Sequence, residues 1–380
     1  METVLLPGAL ALALAFGLTP ALRGFALRVG AIDRPGSRSV HKRAVPFLGG
    51  VGIFAAFAGG LFAATILDPR GLDRHSAWGI LLGGLLVVAT GLFDDSGRMW
   101  SARLPWLADR ERRGLRPLFK LIPQIGAGVT LFLYGVRITF IQNPFATSAA
   151  HPYWYLPWYG AFAVTVLWVV AVTNAVNLID GLDGLAAGIS SISAATLLVV
   201  SLEFPHNVAT GAAVICAVLL ASALGFLPWN FHPARIFMGD AGALFLGYAL
   251  AAVSIVGQLK TVTAVSLVVP ALALGIPVLD TALAIVRRWR ARQLPGVADN
   301  GHLHHRLLDL GLTHRDAVLV LYVASGWLGL AAITVARVGA GLGLAVVALV
   351  VASVLVVVRA LGLGGGPPKP HAPAGRHHAA

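Results

Sequence analysis

Between Asn174 and Gly188 the chain reads NAVNLIDGLDGLAAG, which sets two amides and two carboxylates at the end of an apolar run. Asn174, Asn177, Asp180 and Asp183 recur every third residue, so a helix places the first three on one face. A carboxylate at membrane depth is costly and ordinarily has a functional partner. The partner that suits this set is a divalent cation carrying phosphate. Mg2+ prefers hard oxygen ligands and completes its shell with substrate phosphates.

Other acids occupy comparable places. Asp94 and Asp95 close an apolar run in GLFDD, and Asp240 opens one in FMGDAG. Each has an ordinary explanation when taken alone. Asp240 can be an N-cap, and Asp94 and Asp95 a solvated helix end. Neighbours on a helix differ by about 100°, so one of these two is expected to face any given cavity. Five carboxylates at three loops on one side together point to a hard-cation site. Gly181, Gly184, Gly239 and Gly242 flank them. Glycine allows close backbone approach to a ligand, and the helix start after Gly239 offers amide donors to phosphate. Close packing of membrane helices is the alternative, above all for Gly184 and Gly188.

Three cationic groups add to the pattern. Lys120 sits just within an apolar run, where it either snorkels or neutralises a phosphate or the acids. The segment DNGHLHHR carries His302, His304, His305 and Arg306. Its spacing lacks the helical pair of a zinc site and no cysteine assists, so a diphosphate or sugar hydroxyls suit it better; a solvated loop is the alternative. His41 and Lys42, in RPGSRSVHKRAVPFLGG, can meet lipid headgroups or a phosphate at the interface.

These residues must be positioned by membrane helices. Of 380 residues 57% are hydrophobic and only 12% charged, and mean hydropathy is +0.81. A soluble domain needs far more charge to cover its surface. The pattern predicts an all-α polytopic membrane protein with eleven spans, near 3–22, 46–67, 77–93, 117–135, 158–179, 184–202, 207–227, 241–258, 263–286, 317–336 and 340–360. Of the 28 Lys and Arg, 23 fall on the side carrying the acidic loops. That side is expected to be cytoplasmic, with the N-terminus outside and the C-terminus inside. The net charge of +12 is then explained by topology, anionic lipid and a phosphorylated substrate, and no nucleic acid is expected. The first span lacks a basic region before it and is expected to be retained. Cys216, the single cysteine, reads as a small core residue. Residues 136–157 read as an outer hairpin with an interfacial aromatic cluster. Residues 1–361 are expected to form one membrane domain, and 362–380 a disordered cytoplasmic tail.

HKRAVPFLGG, GLFDD, NAVNLIDGLDGLAAG, NFHPARIFMGDAG and HLHHRLL occur in this order, one in each of five loops. Together they resemble the polyprenyl-phosphate N-acetylhexosaminyl-1-phosphate transferases, over about residues 33 to 310. The H-x-H-H form is more similar to the branch that transfers N-acetylglucosamine-1-phosphate than to the phospho-N-acetylmuramoyl-pentapeptide branch. The resemblance implies a Mg2+-dependent transfer, with Mn2+ able to substitute, from a UDP-N-acetylhexosamine to undecaprenyl phosphate with release of UMP. It implies a multi-pass protein of the bacterial cytoplasmic membrane, in contact with membrane lipids, and a homodimer. It assigns Asp240 and Asn177 to Mg2+, and Asp94, with Asp95 beside it, to the acceptor phosphate. Asp183, Asn174 and Asn230 would line the nucleotide pocket, and Lys120 with the His302–Arg306 loop would hold phosphates and sugar. Asp180 belongs to the substrate site without a separate role. A secondary transporter is the reading from another class, but it calls for mid-span carboxylates and related halves, and no internal repeat is visible.

Overall fold

The computed structural model describes residues 2–34, 43–68, 72–101, 117–142, 153–203, 209–258, 268–292, 301–338 and 340–360. His41 and Lys42, Asp299 and the tail 362–380 lie outside the described residues. The helices run in the order α1 (Glu2–Val29), α2 (Gly49–Leu67), α3 (Arg74–Ser101), α4 (Pro117–Leu133), α5 (Trp158–Ile179), α6 (Leu185–Glu203), α7 (Ala209–Asn230), α8 (Gly239–Gln258), α9 (Val268–Ala273), α10 (Gly275–Arg290), α11 (Leu303–Asp309), α12 (His314–Arg337) and α13 (Ala340–Ala360). Among the described residues, nine are long and apolar enough to cross a membrane, and α4 is a shorter apolar helix. The chain is an all-α, multi-pass membrane protein.

The expected span 263–286 is not one helix. Helix α9 stops at Ala273, and α10 starts at Gly275, after a non-helical Leu274. Pro277 is the cause: it has no N–H to offer the carbonyl four residues back, that of Ala273, and its ring crowds that carbonyl.

Helix α8 is the hub. It packs against α2, α3, α5, α6 and α7, and nearly every residue from Ala241 to Val256 is buried. An apolar helix without a polar stripe belongs inside a bundle, and its alanines and glycines let neighbours approach closely. A Cβ on Gly91 would collide with the backbone of Ala241. Only glycine there lets α3 cross the start of α8 so tightly, which brings Asp94 and Asp95 to that helix end.

Two small sheets complete the described structure. Strand β1 (Ile32–Asp33) pairs antiparallel with β2 (Val45–Pro46). The chain continues beside the segment before α8: Phe237 N–H donates to Pro46 O, Gly49 N–H to Phe237 O and Gly50 N–H to Met238 O, at 2.8, 3.0 and 2.9 Å. The HKRAVPFLGG and FMGDAG loops, about 190 residues apart in the chain, are thus joined through backbone. At the other end β3 (Phe140–Gln142) pairs antiparallel with β4 (Tyr153–Tyr155), and Phe140 meets Tyr153 edge to face.

Candidate active site

Three helices converge at the start of α8. Lys120, in the first turn of α4, places Nζ 2.5 Å from Asp94 Oδ2 on α3 and 2.5 Å from Asp240 Oδ2 on α8. A single ammonium therefore bridges carboxylates from two other helices, and its side chain keeps 23% exposure. Asp95 turns a different way and is 2% exposed. Its Oδ1 accepts Asp240 N–H at 3.3 Å and its Oδ2 accepts Ala241 N–H at 3.4 Å. It caps α8 from another helix, satisfying amides that the first turn leaves without partners. Gly239 is required here on two counts: its φ is +68°, and a Cβ would collide with Asp95 Oδ2. The adjacent acids divide as expected from their angular offset, Asp94 to the cation and Asp95 to the helix end.

The residues fit a divalent ion. Asp94 and Asp240 aim hard oxygens at one position that a cationic group already holds, which is the donor chemistry Mg2+ takes. Asn177 stands on α5 one turn beyond Thr173, whose backbone lies against Gly247 of α8. The side-chain amide of Asn177 makes no hydrogen bond to a described residue and is half-buried, so it can serve as a neutral oxygen ligand. Asn174, a turn deeper, donates to Gln124 Oε1 at 2.5 Å and to Val170 O at 2.8 Å. Gln124 lies one turn after Lys120 on α4 and is 1% exposed. Its Nε2 has no partner among the described residues.

A second cluster forms around the turn after α5. Asp183 Oδ2 accepts Ala234 N–H at 3.0 Å and lies 2.8 Å from His232 Nδ1, while Asp183 N–H donates to His314 Nε2 at 2.9 Å. The two imidazoles stack with centroids 4.3 Å apart. These three residues bring metal-type donor atoms within 4.8 Å of one another. However, each nitrogen facing Asp183 is already committed to a hydrogen bond, so the arrangement holds Asp183 in place. Asn230 is buried; it accepts Gly184 N–H and donates to Ile236 O, both at 3.1 Å. Asp180 is the half-buried C-cap of α5.

The histidine segment folds as the short helix α11 against this turn. His304 is 3% exposed. Its Nε2 occupies the place where a Cβ on Gly181 would lie, so the first glycine of DGLDG exists to admit it. Burial, chiefly, and then the neighbouring His305 push the pKa of His304 down to about 3. His302 is also buried and meets Asp280 of α10, with Nδ1 2.7 Å from Oδ2. His305 and Arg306 are half-buried.

Comparison with known proteins places this geometry. Glycosyl transferase family 4 matches residues 77–258, the stretch from α3 through α8 that carries Asp94, Lys120, Asp183 and Asp240. The probable undecaprenyl-phosphate N-acetylglucosaminyl 1-phosphate transferase of Bacillus subtilis (strain 168) is 36% identical over 346 residues, 91% of this chain and 88% of the relative. The chain belongs to glycosyl transferase family 4, the polyprenyl-phosphate sugar-1-phosphate transferases. The decaprenyl-phosphate N-acetylglucosaminephosphotransferase of Mycolicibacterium smegmatis is 34% identical over 87% of the chain and 81% of the relative. The phospho-N-acetylmuramoyl-pentapeptide-transferase of Moorella thermoacetica is 35% identical over 85% and 95%.

Within this family member the expected site residues fall into two groups. Asp94, Lys120 and Asp240 gather at the start of α8, with Asn177 on the neighbouring α5, and Asp180, Asp183 and the histidine helix line the turn after α5. Several of the expected residues are engaged or enclosed within the protein. Asn230 and the Asn174 amide nitrogen face other protein groups, because each is enclosed where backbone or Gln124 must be satisfied. Asp95 caps α8. His304 is enclosed, and burial holds its pKa well below the usual imidazole range. Four residues went unnoticed in the sequence: Gln124, His232, Asp280 and His314. Asp280 carries a usable signal, a carboxylate inside the apolar run GIPVLDTALAIV. Gln124, His232 and His314 are marked only by their partners in space.

Proposed function

We propose that the chain transfers N-acetylglucosamine-1-phosphate from UDP-N-acetylglucosamine to undecaprenyl phosphate. The transfer releases UMP at the cytoplasmic face of the bacterial inner membrane, as the first membrane step of a cell-envelope polysaccharide. The observation that carries this reading is the Lys120 ammonium held between Asp94 and Asp240. A cation flanked by two carboxylates at a helix start can exchange partners with arriving phosphates without leaving a charge unpaired. The names of the Bacillus and Mycolicibacterium relatives support the sugar and the polyprenyl acceptor.

The reaction exchanges one phosphoanhydride for another, so it is close to thermoneutral and needs alignment and charge balance more than driving force. Asp94 orients the acceptor phosphate beside Lys120; that phosphate is already largely ionised near neutral pH, its second pKa being about 6, so Asp94 positions it more than it removes a proton. Lys120 swings one contact from carboxylate to phosphate oxygen as charge builds on the leaving UMP. Asp240 and Asn177 would hold Mg2+, which when bound supplies counter-charge to the donor's phosphate oxygens. Asp183, one oxygen engaged by His232 and Ala234, keeps its other oxygen for the nucleotide. His305 and Arg306 face the sugar and its phosphate.

The test uses the full-length protein in detergent with Mg2+ and undecaprenyl phosphate. UDP-N-acetylglucosamine should yield UMP and a lipid-linked sugar diphosphate by mass spectrometry. No UMP from it, with turnover of the UDP-muramoyl pentapeptide instead, would move the chain to the activity named for the Moorella relative. Free sugar phosphate would mark a hydrolase.

A further inference from the structure

Asp280 lies on α10 in an apolar helix, 0% exposed, and no step above uses it. Its two oxygens have separate partners on one residue pair: Oδ2 lies 2.7 Å from His302 Nδ1, and Oδ1 accepts Leu303 N–H at 2.8 Å. His302 is the N-cap residue of α11, and its own side chain does not cap the helix. Asp280 therefore caps α11 from another helix. A cap alone would need only the amide contact. The second bond fixes the imidazole, and with it the nitrogen that points at the carboxylate.

We propose that Asp280 is a positioning residue for donor binding: it holds His302 with Nδ1–H turned to the carboxylate, leaving Nε2 as the nitrogen that meets an O–H or N–H group of the UDP-sugar. The ring placement carries over to the neighbouring turn. His302 and His304 lie parallel, 6° apart in plane, and His304 fills the space beside Gly181 in the loop of Asp180 and Asp183. An ionised carboxylate only accepts hydrogen bonds, so it selects the ring form that donates from Nδ1. A buried carboxylate is also costly unless every oxygen is paired. A residue retained under that cost, with both bonds directed to one loop, sets geometry to within a rotamer.

The inference rests on the transferase reading, and two measurements separate their failures. The first needs no substrate. In 15N-histidine-labelled full-length protein, with His302→Gln used to assign the resonance, His302 should show a protonated Nδ1. A deprotonated Nδ1 would overturn the proposal whatever reaction the protein catalyses. The second is a double-mutant cycle on UMP release with UDP-N-acetylglucosamine. Asp280→Asn keeps the volume but can donate to Nδ1, which reverses the ring. It should raise the donor KM about 10- to 100-fold while kcat falls less than about threefold, the scale of one buried polar group left without its partner. In the His302→Gln background the same change should alter KM less than about threefold, because Asp280 acts through His302. Equal effects in both backgrounds would reduce Asp280 to a cap of α11 and refute the positioning role. If wild-type protein releases no UMP, the function assigned above fails, and the NMR result alone judges the dyad.

Discussion

Replacing Lys120 with methionine removes the ammonium and keeps much of the side-chain volume. Two bonds of 2.5 Å disappear, and the carboxylates of Asp94 and Asp240 are left facing each other. Two oxygens that share one ammonium stand roughly 4–5 Å apart. At an effective dielectric near 20, unit charges at that distance repel by about 3–4 kcal/mol. A divalent cation entering the Lys120→Met site no longer competes with the ammonium and relieves this repulsion, so the variant should bind Mg2+ more tightly, by up to about a hundredfold. Turnover should move the other way. The loss of a donor that stabilises developing phosphate charge costs on the order of 10²–10³ in kcat. Mg2+ titration of UMP release gives both quantities, and isothermal titration of the detergent-solubilised protein gives the affinity independently. Weaker Mg2+ binding, or turnover within threefold of wild type, would refute the view that Lys120 occupies a cation position between the two acids.

Further outcomes concern groups whose roles the fold redefined. His304 has a folded pKa of about 3 against an ordinary value of 6.5, so below pH 6.5 the unfolded chain binds a proton that the folded chain excludes. Stability from this group is full above pH 6.5 and falls by about 1.4 kcal/mol per unit as pH drops toward 3. His304→Gln should flatten that slope, by about 2 kcal/mol between pH 7.5 and 5, in chemical unfolding followed by tryptophan fluorescence. Asp95→Ala should remove the cap of α8 and destabilise the protein by about 1–2 kcal/mol, whereas Asp94→Asn should lower turnover with donor binding and thermal stability largely kept; the reverse ordering would undo the division of labour between the two acids. Asn230→Ala strips partners from Gly184 N–H and Ile236 O, two buried backbone groups, at about 1–3 kcal/mol each. A large loss of nucleotide affinity with unchanged thermal stability would return Asn230 to the nucleotide pocket.

Much of the candidate site is legible in the sequence because its signals are local. Acids at the ends of apolar runs, and a lysine just within one, are visible without any partner. Hence Asp94, Lys120 and Asp240 were singled out, and the structure brings them to one point. The polar residues of Asn174–Asp183 were legible as a group, but their roles were not. Spacing places Asn174 and Asn177 on the same face of α5, yet Gln124 engages only Asn174. Asp280 is as plainly marked by its residue type and apolar context as Asp180.

The sequence by itself determined that this is a multi-pass helical membrane protein and that its chemistry-bearing residues come in five ordered motifs. Hydropathy and motif spacing are properties of short segments, and a bilayer leaves helices as the ready way to satisfy the backbone. Tertiary structure alone decided which polar atoms remain available. Hydrogen-bond saturation belongs to a pair of groups, and here the pairs are far apart in the chain: Asp95 with Asp240 and Ala241, Asp183 with His232, Ala234 and His314, Asp280 with His302 and Leu303. Once a buried polar atom has its partner inside the protein it offers little to a ligand, so the fold, by meeting its own hydrogen-bonding needs, selects which of the charged and amide groups stay available to one.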